Sequence, residues 1–251
     1  NEIQQDNGSM IYRVRSVKLL ANKKYRVSFW PFRQVAHVLD EFKPDIVHIH
    51  NPAFIGLAVL FGARKRGIKI IATNHIMPEN LFTVGTHVRM QRVLDHAIGR
   101  LVWKLLVWFH NKADLVTSPT QTAVDLLVAH GLRAPHQAIS NGVDINRFAP
   151  VTTPEEKITA RKYVNLPEQA PIVLYAGRLD PEKRLDLLIS AAPIIIKDTD
   201  AHIVLAGYGK EFDRLNAQAK KLGVQDHVTF LGRVPDEHWT KVFHLADVFT
   251  I

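Results

Sequence analysis

From residue 33 onward, short β-branched runs alternate with longer segments whose apolar residues recur at helical spacing. Residues 33–42 have that helical spacing, and Lys43-Pro44-Asp45 then turns the chain into Ile46-Val47-His48-Ile49-His50, a short strand broken by Asn51-Pro52. Residues 55–66 predict a helix ended by Gly67, followed by a strand over 68–73 and by Asn74-His75. Residues 113–120 predict a short strand and a turn whose Ser and Thr can cap a helix over 123–130, which Gly131 ends. After a charged, Pro-bearing stretch over 151–170 the rhythm repeats. Residues 172–176 form an apolar run that stops at Gly177, and residues 185–196 return as a helix. Residues 202–209 run as a strand into Gly207-Tyr208-Gly209, and residues 212–222 form a helix ended by Gly223. A strand over 228–232 and a helix over 239–245 follow. Continuous apolar strands of this kind are covered on both faces, and the βαβ rhythm predicts parallel sheets with right-handed crossovers. Residues 1–30 carry basic groups and few periodic apolar ones, which predicts loop with one short strand.

The segment 87–109 is ambiguous. Basic residues fill its first half and bulky aromatics its end, which suits a helix lying in a membrane interface as well as a long core helix with a basic solvent face.

Composition narrows the classes. The chain has 251 residues, 47% of them hydrophobic and 22% charged, so it can hold one large α/β domain or two smaller ones. The formal charge of +8 favours anionic partners such as nucleotide phosphates or an acidic membrane surface. No basic stripe interleaved with aromatics points to nucleic acid. With no cysteine, disulfides, Cys-ligated zinc and a thiol nucleophile are excluded.

The strongest chemical signal follows the strand 172–176. Arg178 and Lys183 stand on the connection to the next helix, and in open α/β sheets this region favours anions. Taken alone they also read as ordinary solvated charges. His48, His50 and His75 fall near the ends of two adjacent strands, but they lack the helical His pair and carboxylate of common zinc sites. By themselves, Gly207-Tyr208-Gly209 reads as a tight turn and Asn141-Gly142 as another.

The stretch Gly177-Arg178-Leu179 with Glu182-Lys183-Arg184 resembles the Gly-Arg-Leu and Glu-Lys motif of the family-4 retaining glycosyltransferases of GT-B fold. The strand Pro44-Asp45-Ile46-Val47-His48-Ile49-His50, the segment Thr73-Asn74-His75, and Asn141-Gly142-Val143-Asp144 with Phe148-Ala149-Pro150 extend the resemblance in the family's order from about residue 38 onward. It implies two Rossmann-like domains facing a cleft, both incomplete here: an acceptor-side domain over 1–148 and a nucleotide-sugar domain over 149–251. It also implies that Arg178 and Lys183 bind the donor diphosphate and that His75 contacts the transferred sugar. Asn141, Gly142 and Asp144 would mark the domain crossing and take part in substrate binding, Gly177, Gly207 and Gly209 would approach the donor, and Val234 and Pro235 would cradle its base. The family usually has proline where Lys210 stands. Residues 73–81 also look like family members that glucosylate diacylglycerol.

The function expected from this resemblance is retaining hexosyl transfer from a nucleotide diphosphate sugar, without metal or other cofactor, to an acceptor such as diacylglycerol. A nucleotide-sugar epimerase of the same fold and a non-catalytic nucleotide-sugar-binding module are the alternatives. The expected location is the cytoplasm, with peripheral attachment to the inner membrane face if the acceptor is a lipid. The chain lacks an initiator Met and ends within a predicted strand, which reads as an internal piece. The family's Glu-x7-Glu motif and opening glycine-rich strand and loop are absent, so the piece alone is expected to be weakly active or inactive.

Overall fold

The computed structural model describes residues 2–6, 8–18, 26–78, 89–151 and 153–251, with the side chains of 2–6 and 89–97 outside the description. The chain divides between Asn141 and Gly142 into two compact units. The division falls inside the Asn-Gly motif and ahead of the 148/149 boundary expected from sequence, so residues 142–148 belong to the second unit.

The first unit opens with strands the sequence reading did not resolve. β1 (Glu2–Asp6) pairs antiparallel with β2 (Ser9–Arg13), and β3 (Val17–Lys18) with β4 (Arg26–Val27). The expectation of loop with one short strand is corrected here. β1 is mostly polar, β2 carries its apolar residues in a block, and β3 and β4 are two residues each, so these backbone ladders form without the apolar alternation that would reveal them.

Helix α1 (Phe32–Phe42) leads to β5 (Ile46–Ile49), and α2 (Phe54–Arg66) to β6 (Lys69–Thr73). Then come α3 (Arg89–His110), β7 (Leu115–Ser118), α4 (Gln121–Ala129) and β8 (His136–Ala138). The four strands form one parallel sheet in the order β5-β6-β7-β8. On β5, Val47 and Ile49 point into the core, which leaves His48 on the opposite face, as strand alternation requires. Residues 79–88, which include most of the segment after His75 and the start of the ambiguous helix, lie outside the described residues.

In the second unit α5 (Pro154–Tyr163) occupies the stretch taken from sequence as a charged junction. Its signals are at its ends. The Thr153 hydroxyl accepts the Glu156 N–H, Pro154 opens the first turn with Glu155 and Glu156, and Arg161 and Lys162 close the last turn. β9 (Ile172–Ala176), α6 (Leu185–Thr199), β10 (His202–Ala206), α7 (Phe212–Lys221), β11 (Val228–Gly232), α8 (Trp239–His244) and β12 (Val248–Thr250) follow. All four strands run parallel in the order β11-β10-β9-β12, and every residue of the interior strand β10 is buried. This is the pattern its apolar run from Ile203 to Ala206 predicts.

A buried ion pair fastens the start of β9. Arg161, only 4% exposed, donates to Asp247 Oδ2 at 2.5 Å and to the carbonyls of Leu245 (3.2 Å) and Glu168 (2.6 Å). The same Asp247 oxygen accepts the Ile172 N–H at 2.7 Å. Asp247→Ala is therefore expected to cost about 3 kcal/mol, because it leaves a buried guanidinium without its counter-charge. Urea unfolding checks this. Asp247→Asn keeps an acceptor for Ile172 and removes only the charge, so a negligible loss in that variant would contradict the buried-charge account.

Candidate functional site

The second unit builds its candidate site where β9 and β10 run out. Beyond the sheet their loops stay paired: the Gly177 N–H donates to the Ala206 carbonyl (2.9 Å), Leu179 to Tyr208 (3.4 Å) and Glu211 to Leu179 (2.9 Å). A Cβ on Gly207 would lie 1.8 Å from the Gly177 carbonyl oxygen, and one on Gly209 would lie 2.3 Å from that of Leu179. The glycines of this turn are thus demanded by backbone meeting backbone, with Gly207 also at φ +142°.

Arg178 leaves this paired segment with its side chain 66% exposed, its guanidinium bonded to Asp180 and to Glu182 Oε1 at 2.8 Å. The other Asp180 oxygen accepts the Lys210 N–H at 3.3 Å. A proline at 210 has no N–H to donate, so the departure from the usual residue supplies a bond here. Below, the Tyr175 hydroxyl donates to the Arg178 carbonyl at 2.8 Å, and burial pushes the Tyr175 phenol up so that it remains a donor. Lys183 ends a short 3-10 turn, Pro181–Lys183, and makes no ion pair among the described residues. α6 begins immediately afterwards from Arg184, whose own side chain makes no capping hydrogen bond, and Asp186 places a carboxylate in its first turn. Arg178, Lys183 and the N-terminus of α6 therefore follow the carboxyl end of β9, a place whose positive charge and helix dipole favour an anion. Sequence reasoning found the cations and missed Asp180 and Glu182, although their spacing of two and four from Arg178 carried the signal.

The other expected substrate-binding residues lie on neighbouring turns and at the junction of the units. Gly142 takes φ +74°, and Asp144 Oδ1 accepts the N–H groups of Asn146 and Arg147, both at 3.0 Å, so its carboxylate caps a turn. That turn is fastened by Arg147 on Asp236 Oδ2 (3.0 Å) and by Phe148 edge-on to Phe243 at 5.7 Å. Asn141 is the last residue of the first unit. Val234 packs half-buried against the core that holds Leu174 and Val242, while Pro235 is exposed after β11.

In the first unit the carboxyl ends of β5 and β6 bring three histidines together. His50 Nδ1 and His75 Nε2 share a hydrogen bond of 3.0 Å with their rings stacked at 5.3 Å, and the His48 ring lies 4.1 Å from that of His50. His48 Nε2 meets the Thr73 hydroxyl at 2.6 Å, which meets the Thr117 hydroxyl at 2.6 Å. A cleft of about 400 Å³ opens beside them, lined by Arg26, Ser28, His48, His50, Asn51 and Phe54 among others. Next to it in sequence, Asn74 Nδ2 is buried without a hydrogen-bond partner among the described residues, as is Ser118 Oγ at the end of β7. Among the described residues no group of three or more His, Cys, Asp or Glu side chains is placed to hold a metal ion.

Burial, then the neighbouring His50 and His75, lower the pKa of His48 from the ordinary 6.5. Burial likewise lowers those of His110 and His202. The unfolded chain then binds protons at these sites where the folded chain does not, so stability is complete above pH 6.5 and falls as the pH drops below it. The melting temperature is expected to be lower at about pH 5.5 than at about 7.5. His110→Gln is expected to lessen the drop, and an unchanged drop in that variant would sink the assignment.

Comparison with known proteins agrees with the two parallel-sheet units. The family model described as Glycosyltransferase Family 4 matches residues 2–147, and that described as Glycosyl transferases group 1 matches residues 156–251. An alpha-monoglucosyldiacylglycerol synthase of Streptococcus pneumoniae is 24% identical over 241 residues, covering 95% of this chain and 53% of that protein. A GDP-mannose-dependent monoacylated alpha-(1-6)-phosphatidylinositol monomannoside mannosyltransferase of Corynebacterium glutamicum is 32% identical over 247 residues, 90% of this chain and 58% of its own length. Among solved structures, Anabaena HepE in complex with UDP and glucose superposes with a TM-score of 0.67 at 20% identity, over 86% of this chain and 55% of that one. The fold is that of the GT-B proteins. The chain spans about half the length of the curated relatives it matches.

Proposed function

Since this chain belongs to glycosyltransferase family 4, we propose that the whole protein transfers a hexose from a nucleotide diphosphate sugar to an acceptor, with retention at the anomeric carbon. The observation that carries this reading is the placement of Arg178 and Lys183 beyond the carboxyl end of β9, beside the N-terminus of α6. Positive charge fixed there meets the negative charge that grows on a departing diphosphate.

In this mechanism the bond between the anomeric carbon and the distal phosphate oxygen breaks, and its electrons leave with the diphosphate. The acceptor hydroxyl oxygen bonds to the same face of the sugar, and its proton passes to the departing phosphate oxygen. Arg178 and Lys183 stabilise that leaving group, so the proposal needs no metal ion. His75 donates to or accepts from a sugar hydroxyl, its ring oriented by His50. A membrane lipid such as diacylglycerol is the acceptor we favour, supported by the names of the Streptococcus and Corynebacterium relatives.

The test is a turnover assay on the full-length protein, offering UDP-glucose, GDP-mannose and related donors with diacylglycerol vesicles or soluble sugars. The expected product is an α-linked glycolipid whose formation survives a metal chelator. A β-linked product would overturn retention. Release of an epimerised sugar nucleotide, or donor binding without turnover, would replace transfer by epimerisation or by a binding role.

A further inference from the structure

Helix α3 is apolar on two sides. Trp103, Leu106, Val107 and Phe109 are buried in the core of the first unit. Ile98, Leu101, Leu105 and Trp108 are instead 44%, 56%, 57% and 43% exposed, and their spacing of three, four and three sets them in one stripe. Phe61 of α2, 45% exposed, carries the stripe onto a second helix by meeting the Trp108 ring at 6.2 Å. A contiguous apolar surface of this kind marks an interaction site more often than isolated exposed residues do.

Its charged border identifies the partner. Arg100 and Lys104 are exposed on α3, and Lys112 holds its Nζ 5.3 Å over the Trp108 ring. Arg64 reaches the same border, its guanidinium donating to the Lys112 carbonyl at 2.8 Å. Residues 98–112 contain Arg100, Lys104 and Lys112 and no carboxylate. Asp114, just beyond, is engaged by Lys69 at 3.1 Å and by the Ile70 N–H at 2.9 Å. A second copy of this chain would bring these cations against one another across a self-complementary interface. An anionic bilayer neutralises them while its acyl boundary takes up the apolar stripe. Among the described residues no helix is long and apolar enough to cross a membrane, so the contact is with a surface.

We propose that the face centred on Leu101, Leu105 and Trp108 seats the protein on an anionic phospholipid bilayer, with Phe61 beside them and Arg64, Arg100, Lys104 and Lys112 meeting lipid phosphates. The inference deepens the lipid-acceptor reading by naming the surface that brings the protein to its acceptor, and it rests on that reading for its purpose. Its test needs no turnover, so the two can fail separately.

The experiment is flotation of the full-length protein with phosphatidylcholine vesicles, with and without about one-third phosphatidylglycerol. Binding is expected to the anionic vesicles and to weaken in high salt. Leu101→Ser with Leu105→Ser is expected to lower it about tenfold or more, since both side chains lose apolar burial. Arg100→Gln with Lys104→Gln is expected to lower it about 25-fold, at roughly fivefold for each cation near the surface. All four positions are exposed, so the melting temperatures of both double variants should stay close to wild type. Wild-type protein that binds neither vesicle overturns the proposal, as does either double variant binding like wild type. A dimer in sedimentation velocity that the leucine variant dissociates, with vesicle binding unchanged, assigns the face to a second copy instead.

Discussion

Arg178→Ala is expected to lower hexosyl transfer by the full-length protein about 10²–10³-fold, the range found when one preorganised donor to a developing anion is removed. The loss should fall mainly on kcat, because the guanidinium acts on charge that grows as the diphosphate departs, more than on charge already present in the bound donor. Stability should hardly change. Arg178 is 66% exposed, and its bonds to Asp180 and Glu182 are surface ion pairs, worth about 1 kcal/mol or less. Those carboxylates set the guanidinium in place, and on the proposed reading they would compete with the diphosphate for it, so donor binding would require Arg178 to exchange one partner set for another. Arg178→Lys keeps the charge and loses the planar fork, and is expected to recover only part of the rate. Steady-state kinetics beside a melting curve decide the matter. An unchanged kcat in Arg178→Ala would remove Arg178 from the reaction, and a lowered melting temperature would reassign it to holding the loop.

What the sequence could show depended on which face of each element met the core. β9 and β10 were legible because a strand covered on both sides must be apolar throughout, and residues 172–176 and 202–206 are so but for His202. β1 was not, since Glu2-Ile3-Gln4-Gln5-Asp6 pairs through its backbone and its side chains carry no period. α5 was lost in the same way: its residues are mostly polar, and its caps are the part of the pattern that remains. At the site, Arg178, Lys183, Gly207 and Gly209 were visible as residue types in order. The reasons for them were not, because the meeting of Gly207 with Gly177 and the His50 to His75 bond join segments far apart in the chain. Asp144 shows the opposite case. Its motif marked it for the domain crossing and substrate binding, and within the chain its carboxylate also caps a local turn that spacing alone could have suggested.

Gly207→Ala is expected to destabilise the second unit strongly. Two costs add. The backbone there sits at φ +142°, which an L side chain rarely adopts, and the new Cβ would stand 1.8 Å from a backbone oxygen that no side-chain rotation can move away. Strained backbone and overpacking each cost about 1–3 kcal/mol, giving about 2–6 kcal/mol together. Gly223→Ala separates them, because Gly223 also has a positive φ, +69°, and nothing within 4 Å of its added Cβ. That variant should lose only about 1–2 kcal/mol. Urea unfolding of the two variants measures the difference, and equal losses would mean that the loops after β9 and β10 part easily. The same comparison tests how the site is built. Gly177, against which Gly207 packs, immediately precedes Arg178, so parting the loops moves the cation even though its side chain is intact. Folded Gly207→Ala protein should therefore lose both donor affinity and turnover, Arg178→Ala should lose turnover at unchanged stability, and Gly223→Ala should keep turnover. Full turnover in folded Gly207→Ala protein would show that Arg178 reaches the diphosphate without the paired loops beneath it.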